Sequence, residues 1–279
     1  MKKWLLLSLF LGAHMFLQAD TSPFVIEKEH VAEMLAERGI EMPELLQELV
    51  LVAKEYARPP ISEYYVGIAA LGVSGNIYLG VNLEFPGLPL NETVHGEQFL
   101  IVNARAHGEK ELVLVAQSAP PCGHCRQFFH EMGVSDTLLI LTPNGEAVTL
   151  SSLLPNAFGP KDLGLAPTLM EVDESDSEGA VKAALQSYSP YTNLKSGVLI
   201  EMNDGRTYSG SYIENAAYNP SLSPMHTALI SLVVGMQSYK DIAHVTLAES
   251  LSAPISQEAA VRSILHAIAP TATLELIKF

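Results

Sequence analysis

The two halves of this chain repeat one another, and this repeat restricts the fold more than any other feature of the sequence. A shift of 130 residues places residues 60–84 on residues 190–214 without a gap. The matched pairs include Pro60 with Pro190, Gly67 with Gly197, Gly75 with Gly205, Tyr78 with Tyr208, Gly80 with Gly210 and Glu84 with Glu214. The repeat predicts two tandem domains that share one fold.

Residues 151–178 separate the two copies and have the composition of a linker. They contain Pro155, Pro160 and Pro167 and end in an acidic run over residues 171–178. Proline and glycine interrupt regular structure, and runs of one charge sign stay solvated. We therefore expect a first domain at residues 20–150, a linker at 151–178 and a second domain at 179–279.

The apolar residues of the first copy follow the periodicities of alternating strands and helices. Helical spacing over residues 25–56 predicts two short helices joined near residues 39–43. Further along, the pattern predicts strands at 66–71, 77–82, 112–116 and 137–141, a helix beginning near 93–95 and a helix over 122–132. The turn Ser74-Gly75-Asn76 makes the first two strands a hairpin. This order predicts an α/β fold, in which a mixed central sheet is covered by helices (α/β/α) in both copies.

One pair of motifs carries the residue types of a metal site. His95-Gly96-Glu97 and, later, Pro121-Cys122-Gly123-His124-Cys125 together supply an imidazole and two thiols. Zinc prefers such ligands, and a catalytic site uses three of them and leaves a fourth position open. The pattern favours a catalytic zinc site over a structural zinc knot or a redox Cys-x-x-C motif, because neither alternative explains Glu97.

The second copy lacks these residues. The same shift of 130 places Met225 opposite His95 and Thr227 opposite Glu97, and no cysteine follows Cys125. We therefore expect one zinc ion per chain, held by the first domain, and a degenerate second domain with a structural role.

The charge of the chain restricts its partners. It has 31 acidic and 16 basic residues, a formal net charge of -15. A nucleic-acid-binding protein is expected to show a basic face, because phosphate contacts dominate its affinity. We expect a small neutral substrate and no nucleic-acid partner.

The N-terminus has features of a secretory signal peptide. Residues 1–19 combine two lysines with an apolar stretch and end at Ala19. His14 and Gln18 interrupt this stretch, so no membrane span is expected in the mature protein. A cleaved signal peptide and an N-terminal extension both fit. Two cysteines spaced for a metal suit an intracellular protein, so we expect a cytoplasmic protein, or an exported, periplasmic one if residues 1–19 are removed.

The proposed site has the parts needed for hydrolytic deamination. A zinc ion acidifies water, and Glu97 can carry the proton of that water first to a ring nitrogen and then to a departing amine. Cys122 and Cys125 lie at the predicted start of a helix, where partial positive charge favours thiolates.

The motifs His95-Gly-Glu-Gln and Pro121-Cys-Gly-His-Cys-Arg-Gln-Phe resemble those of the cytidine deaminase family, in its larger two-domain form with a degenerate second domain. The resemblance implies a zinc-dependent enzyme that converts cytidine and deoxycytidine to uridine and deoxyuridine in pyrimidine salvage, as a homodimer. It also implies roles for individual residues: zinc ligation by His95, Cys122 and Cys125, proton transfer by Glu97, ribose binding by Asn82 and Glu84, stacking on the pyrimidine by Tyr64, and contacts with the base edge by the Gly96 N–H and the Pro120 carbonyl. Gly96 stands where the family commonly has alanine, and we expect an altered rate rather than lost function.

Alternatives remain at this stage. The enzyme could act on a nucleotide or on a base within a polynucleotide, or the chain could be a non-catalytic exported protein that binds zinc or a nucleoside. Asn82 and Glu84 could be strand-end capping groups, and Tyr64 or Tyr65 could belong to the core. We expect His124 on the helix surface rather than as a ligand, and Arg126 either bonded to a thiolate or facing solvent. Five histidines have no set of metal-binding or catalytic partners in the sequence and are expected to be ordinary residues: His107, His130, His226, His244 and His266.

Overall fold

The computed structural model describes residues 22–142, 144–252 and 254–279, so the predicted signal peptide or extension at residues 1–19 lies outside the described residues. The first part of the chain contains β1 (Val25–Ile26), α1 (Lys28–Arg38), α2 (Met42–Lys54), β2 (Gly67–Gly72), β3 (Ile77–Val81), α3 (Gly96–Ala106), β4 (Leu112–Gln117), α4 (Gly123–His130), β5 (Leu139–Leu141), β6 (Ala147–Thr149) and α5 (Leu150–Leu153). The second part contains α6 (Gly179–Leu185), β7 (Ser196–Met202), β8 (Thr207–Ser211), α7 (Pro224–Val234), β9 (Ile242–Glu249), α8 (Glu258–Ile268) and β10 (Thr273–Lys278). Single 3-10 turns cover Leu90–Glu92, Pro160–Leu163 and Tyr239–Asp241.

The first sheet has the strand order β1-β3-β2-β4-β5-β6. Its pairs are antiparallel except β4 with β5, which run parallel. The predicted hairpin is confirmed, since β2 and β3 pair around Gly75, whose φ of 89° favours glycine. Helices α2 and α3 pack against this sheet, which confirms the mixed α/β/α prediction.

Two glycines let helices approach opposite faces of this sheet closely. A Cβ on Gly80 would lie 2.4 Å from the carbonyl oxygen of Gly96, at the start of α3. A Cβ on Gly67 would lie 2.2 Å from the carbonyl oxygen of Val50, in α2. Gly80 pairs with Ile68, the neighbour of Gly67, and successive strand positions point to opposite faces. The sheet therefore has α3 on one face and α2 on the other.

The second sheet repeats the centre of the first. Its order β10-β9-β7-β8 corresponds to β5-β4-β2-β3, with the same parallel pair at the corresponding place. Even an irregularity recurs, because the register shifts between Leu71 and Gly72 in β2 and between Glu201 and Met202 in β7. The repeat predicted over residues 60–84 and 190–214 is therefore confirmed in three dimensions.

The extension of the 130-residue shift to the metal-binding motif is wrong by two residues. Helix α3 follows the N-cap His95 and α7 follows the N-cap Ser223, so the two helices match at a shift of 128. The second copy is thus two residues shorter between strand β8 and helix α7. Ser223, and not Met225, stands at the place of His95; Met225, and not Thr227, stands at the place of Glu97. The prediction that the second copy lacks the metal ligands is unaffected.

The two domains share one apolar core. Helices α3 and α7 pack against each other, and buried side chains of both domains form a single cluster. The predicted linker is also anchored, because Arg105 of α3 donates to the carbonyls of Leu169 (2.7 Å) and Gln186 (2.8 Å). Over the ranges that the structure describes, every helix is too short or too polar to cross a bilayer.

Candidate active site

Two helix N-termini bring the predicted metal-binding residues together. His95 is the N-cap of α3 and Glu97 lies in its first turn. Cys122 is the N-cap of α4 and Cys125 lies in its first turn. Both helix starts carry partial positive charge, which favours the thiolate form of the cysteines.

The three predicted ligand atoms form a compact triangle. Nδ1 of His95 lies 3.6 Å from Sγ of Cys122 and 3.3 Å from Sγ of Cys125, and the two sulfurs are 3.3 Å apart. Tetrahedral zinc, with bonds of about 2.3 Å to sulfur and about 2.0 Å to nitrogen, separates its ligand atoms by about 3.5–3.8 Å. The donor set and its spacing therefore fit one zinc ion. Among the described residues, no other group of His, Cys, Asp and Glu comes together in this way.

The contacts among these groups shift the pKa values of the two thiols in opposite directions. The hydrogen bond with Cys125, together with that to His95, lowers the pKa of the Cys122 thiol to about 3. The same sulfur–sulfur hydrogen bond and burial raise the pKa of the Cys125 thiol. The hydrogen bond to Cys122 raises the pKa of His95. Zinc binds thiolates and neutral imidazole, so metal binding would release the remaining protons.

Glu97 lies against this triangle. Its side chain is only 5% exposed, and burial raises the pKa of its carboxyl group, which hydrogen-bonds the Cys125 thiol. A carboxyl group whose pKa is raised above its ordinary value can both accept and donate a proton during a reaction. Cys125 is buried while Cys122 is exposed, so the triangle is open to solvent on the Cys122 side.

Two residues beside the cysteines make contacts that the sequence did not predict. The ring of His124, a half-buried residue of α4, stacks on that of His95, with centroids 4.8 Å apart and planes 22° apart. His124 is not a member of the ligand group, as predicted. Arg126 neither bonds a thiolate nor simply faces solvent. It donates to the carbonyls of Pro121 (2.8 Å) and Leu153 (2.7 Å) and so ties α4 to α5.

Asn82 holds the loop formed by residues 61–66. Its Oδ1 accepts from the Val66 N–H (3.0 Å) and its Nδ2 donates to the Tyr64 carbonyl (2.9 Å). Tyr64 and Tyr65 are 58% and 50% exposed, so the alternative that either ring belongs to the core is wrong.

Glu84 holds the other end of the same loop. Its carboxylate accepts from the N–H groups of Ile61 (3.0 Å) and Ser62 (2.9 Å). Burial alone would raise the pKa of Glu84, but the hydrogen bonds from Ser62 and Ile61 lower it below its ordinary value. Both Asn82 and Glu84 thus have structural partners, and their predicted contact with a ribose stays a prediction.

Gly96 connects this loop with the metal triangle. A Cβ there would lie 2.9 Å from Cδ1 of Ile68 and 3.0 Å from Cγ1 of Val66. The space that an alanine side chain would take is therefore filled by β2 and the residue before it. Pro120 is exposed just before the cysteine motif. The predicted roles of Tyr64, Gly96 and Pro120 toward a base also stay predictions.

The sequence did not reveal three buried polar residues near the site. Gln98 accepts a hydrogen bond from the His95 N–H (3.0 Å), and a glutamine three residues after an N-cap is a recognisable capping pattern. Glu131, fully buried after α4, accepts from the Tyr188 hydroxyl (2.9 Å). His226, expected to be an ordinary residue, is buried, and its Nδ1 lies 3.0 Å from the Ser223 hydroxyl. No local pattern predicts Glu131, because its partner lies in the other domain.

Comparison with known proteins agrees with this geometry. Models described as the cytidine and deoxycytidylate deaminase zinc-binding region match residues 41–141 and 150–262. The cytidine deaminase of Serratia proteamaculans is 38% identical over 91% of this chain and 89% of its own length, and that of Shewanella oneidensis is 41% identical over 88% and 86%. A crystal structure of the Mycobacterium tuberculosis cytidine deaminase, 31% identical, covers 43% of this chain and 99% of its own, with a TM-score of 0.40. With two sheets built on one plan and relatives of this identity along nearly its whole length, the chain belongs to the cytidine deaminase family.

Proposed function

We propose that this protein catalyses the zinc-dependent hydrolytic deamination of cytidine and deoxycytidine to uridine and deoxyuridine, with release of ammonia. The observation that carries the proposal is the buried carboxyl group of Glu97 beside the His95, Cys122 and Cys125 triangle. A structural zinc site gains nothing from such a group, whereas a reaction that moves protons depends on it.

Three residues of the site would bind zinc, and a fourth, Glu97, transfers protons. A zinc ion held by His95, Cys122 and Cys125 would supply Lewis acidity, which makes water a nucleophile at neutral pH. Glu97 accepts a proton as the water oxygen bonds to the amidine carbon of the pyrimidine, and delivers that proton to the ring nitrogen. Glu97 then transfers the second proton of the water to the amino group, which leaves as ammonia when the carbon–nitrogen bond breaks. Each turnover consumes one water, and Glu97 ends in its starting state.

The substrate-binding roles follow from the same arrangement. Tyr64 presents an exposed ring for stacking on a pyrimidine. Asn82 and Glu84 hold the loop that carries this ring and offer their remaining hydrogen-bonding capacity to ribose hydroxyls. The Gly96 N–H, at the start of α3, and the Pro120 carbonyl address the edge of the base. The carboxylate of Glu84 repels a phosphate, and the net charge of -15 disfavours polynucleotides, so a nucleoside is the preferred substrate.

The deciding experiment compares the wild type with Glu97→Gln, which keeps the size of the side chain and removes its proton-transfer capacity. The zinc-loaded wild type should convert cytidine to uridine, followed by absorbance, and Glu97→Gln should lose nearly all activity while zinc analysis still finds one ion per chain. Faster turnover of deoxycytidylate or an oligonucleotide than of nucleosides would point to the alternative substrates. Full activity after complete chelation of zinc would contradict metal catalysis.

We also propose that the protein forms a homodimer. Large apolar side chains are exposed near the site, among them Ile61, Leu90 and Tyr218, and a homodimer would cover such surface. Sedimentation at monomer mass would contradict a homodimer.

The two unpaired cysteines of the site suit a reducing cytoplasm, and mass spectrometry of the mature N-terminus tests export. Residues 20–150 form the catalytic domain, 151–178 the linker and 179–279 the degenerate domain, which limited proteolysis can test.

A further inference from the structure

A single buried carboxamide joins a metal-binding residue to the second domain. Gln98 is 1% exposed and lies in the first turn of α3. Its Oε1 accepts from the backbone N–H of His95 at 3.0 Å, and its Nε2 donates to the carbonyl oxygen of Pro220 at 2.9 Å. The two ends of one side chain therefore contact the start of the metal-binding helix and the other domain.

The His95 N–H and the Pro220 carbonyl together determine which way this carboxamide points. A glutamine side chain can present either its oxygen or its NH2 group in a given direction. Pro220 offers only an acceptor and the His95 N–H offers only a donor, so both partners require the same orientation of Gln98, with the oxygen toward His95 and the NH2 group toward Pro220. The reversed orientation would place two buried donors against each other and two acceptors against each other, which is costly.

A reciprocal contact exists on the other side of the interface. His226 stands on α7 at the place that Gln98 has on α3, by the 128-residue shift, and Glu92 likewise stands at the place of Pro220. Nε2 of His226 lies 3.4 Å from Oε2 of Glu92. The two domains thus meet with approximate two-fold symmetry, as in an isologous dimer interface. Only the Gln98 side of this pair contacts the backbone of a metal-binding residue.

The segment that ends at Pro220 also holds the second metal-binding helix. Nδ2 of Asn215 donates to the carbonyl of Gln127, in α4, at 3.1 Å. The N–H of Ala216 donates to Glu131, the residue after α4, at 3.0 Å. Residues 215–220 of the degenerate domain therefore contact α4 and, through Gln98, α3.

We infer that Gln98 is a positioning residue for His95 and that residues 215–220 of the second domain fix the relative placement of the two metal-binding helices. This inference rests on the proposed zinc site. It gives the degenerate domain a defined role, which is to hold the three ligand atoms at the spacing that zinc requires. Groups that hold metal ligands in place commonly change metal affinity about 10- to 100-fold when they are removed.

The test measures metal binding rather than activity. Gln98→Met keeps the length of the side chain and leaves both the His95 N–H and the Pro220 carbonyl without their partner. Competition with a chromogenic chelator should show a zinc dissociation constant raised about tenfold or more. The absorption spectrum of the cobalt-substituted protein, which reports the geometry of the thiolate ligands, should change as well. Asn215→Ala acts from the second domain without altering α3, and it should also weaken zinc binding; it decides the matter if Gln98→Met does not fold.

His226→Met is the matched control, because it removes the reciprocal contact between the domains and leaves Gln98 intact. It should reduce the melting temperature but leave the zinc dissociation constant and the cobalt spectrum unchanged. Wild-type zinc affinity and cobalt spectrum in both folded Gln98→Met and Asn215→Ala, or an equal loss of affinity in His226→Met, would overturn the inference. A wild type that binds no zinc would instead refute the proposed function, so the two failures can be told apart.

Discussion

Replacing Gly80 with alanine would push the metal-binding helix α3 away from the sheet. The new Cβ would lie 2.4 Å from the Gly96 carbonyl oxygen and 2.9 Å from the Leu100 nitrogen. Both are backbone atoms of α3, so no side-chain rotation relieves the contact. Helix α3 must move as a body, and it carries Glu97 and the ring of His95 with it.

The size of this movement sets the expected loss. An ordinary contact needs about 3.4 Å or more between such atoms, so α3 must shift by about 1 Å. Overpacking of this kind costs about 1–3 kcal/mol of stability. Misplacing a catalytic group by about 1 Å costs about 100-fold in rate. We therefore expect Gly80→Ala to lose about 100-fold in kcat on cytidine.

Gly67→Ala is the matched control on the opposite face of the same sheet. Its Cβ would lie 2.2 Å from the Val50 carbonyl oxygen, a clash of similar severity against α2, which carries none of the proposed catalytic residues. Thermal unfolding should show comparable losses of stability, about 1–3 kcal/mol, in both variants. Steady-state assays at matched zinc content should show a kcat within about threefold of wild type for Gly67→Ala only. Equal kcat values in the two variants would refute the reasoning that α3 alone transmits the damage.

Two further predictions concern single buried contacts. Gly96→Ala would bring its Cβ to 2.9 Å from Cδ1 of Ile68; we expect a loss of about 1–2 kcal/mol by urea unfolding, which the added change Ile68→Val should largely restore, and additive losses in the double variant would contradict the contact. His226 is buried, and burial lowers its pKa to about 4, so the unfolded chain binds a proton below pH 6.5 that the folded chain binds only near pH 4. Stability should therefore fall as the pH drops through this range, by about 2 kcal/mol between pH 7.5 and pH 5. His226→Gln should lack this part of the loss, and an unchanged pH dependence would show that His226 is not held neutral.

The sequence predicted those parts of the structure that depend on local pattern. The hairpin around Gly75 follows from a turn between two apolar runs. The placement of His95 and Cys122 at helix starts follows from the change of period after each motif. The metal triangle could also be predicted, because zinc chemistry selects few residue types and they occur here at characteristic spacing.

The parts that the sequence did not predict depend on contacts between distant segments. Gln98 and Glu131 are explained by partners 122 and 57 residues away, and no local pattern encodes such pairs. The two-residue offset between α3 and α7 also escaped the repeat, because the glycines and Glu84 that reveal the 130-residue shift all lie before the shortened loop. A loop tolerates a change in length at little cost, and it therefore breaks the register of a repeat without altering the fold.

Comparison of the two domains distinguishes residues that the fold requires from residues that the reaction requires. Glu214 accepts from the N–H groups of Tyr191 (2.8 Å) and Thr192 (3.2 Å), as Glu84 accepts from Ile61 and Ser62. The described residues of the second copy include no metal-binding group, so the carboxylate of Glu214 only holds its loop. The same structural role must account for part of the effect of Glu84. A raised KM in a Glu84 variant is therefore not by itself proof of a lost ribose contact. The change in KM of Glu214→Gln measures the effect of losing the loop contacts alone. Only the additional increase in KM of Glu84→Gln can be assigned to a lost contact with the substrate.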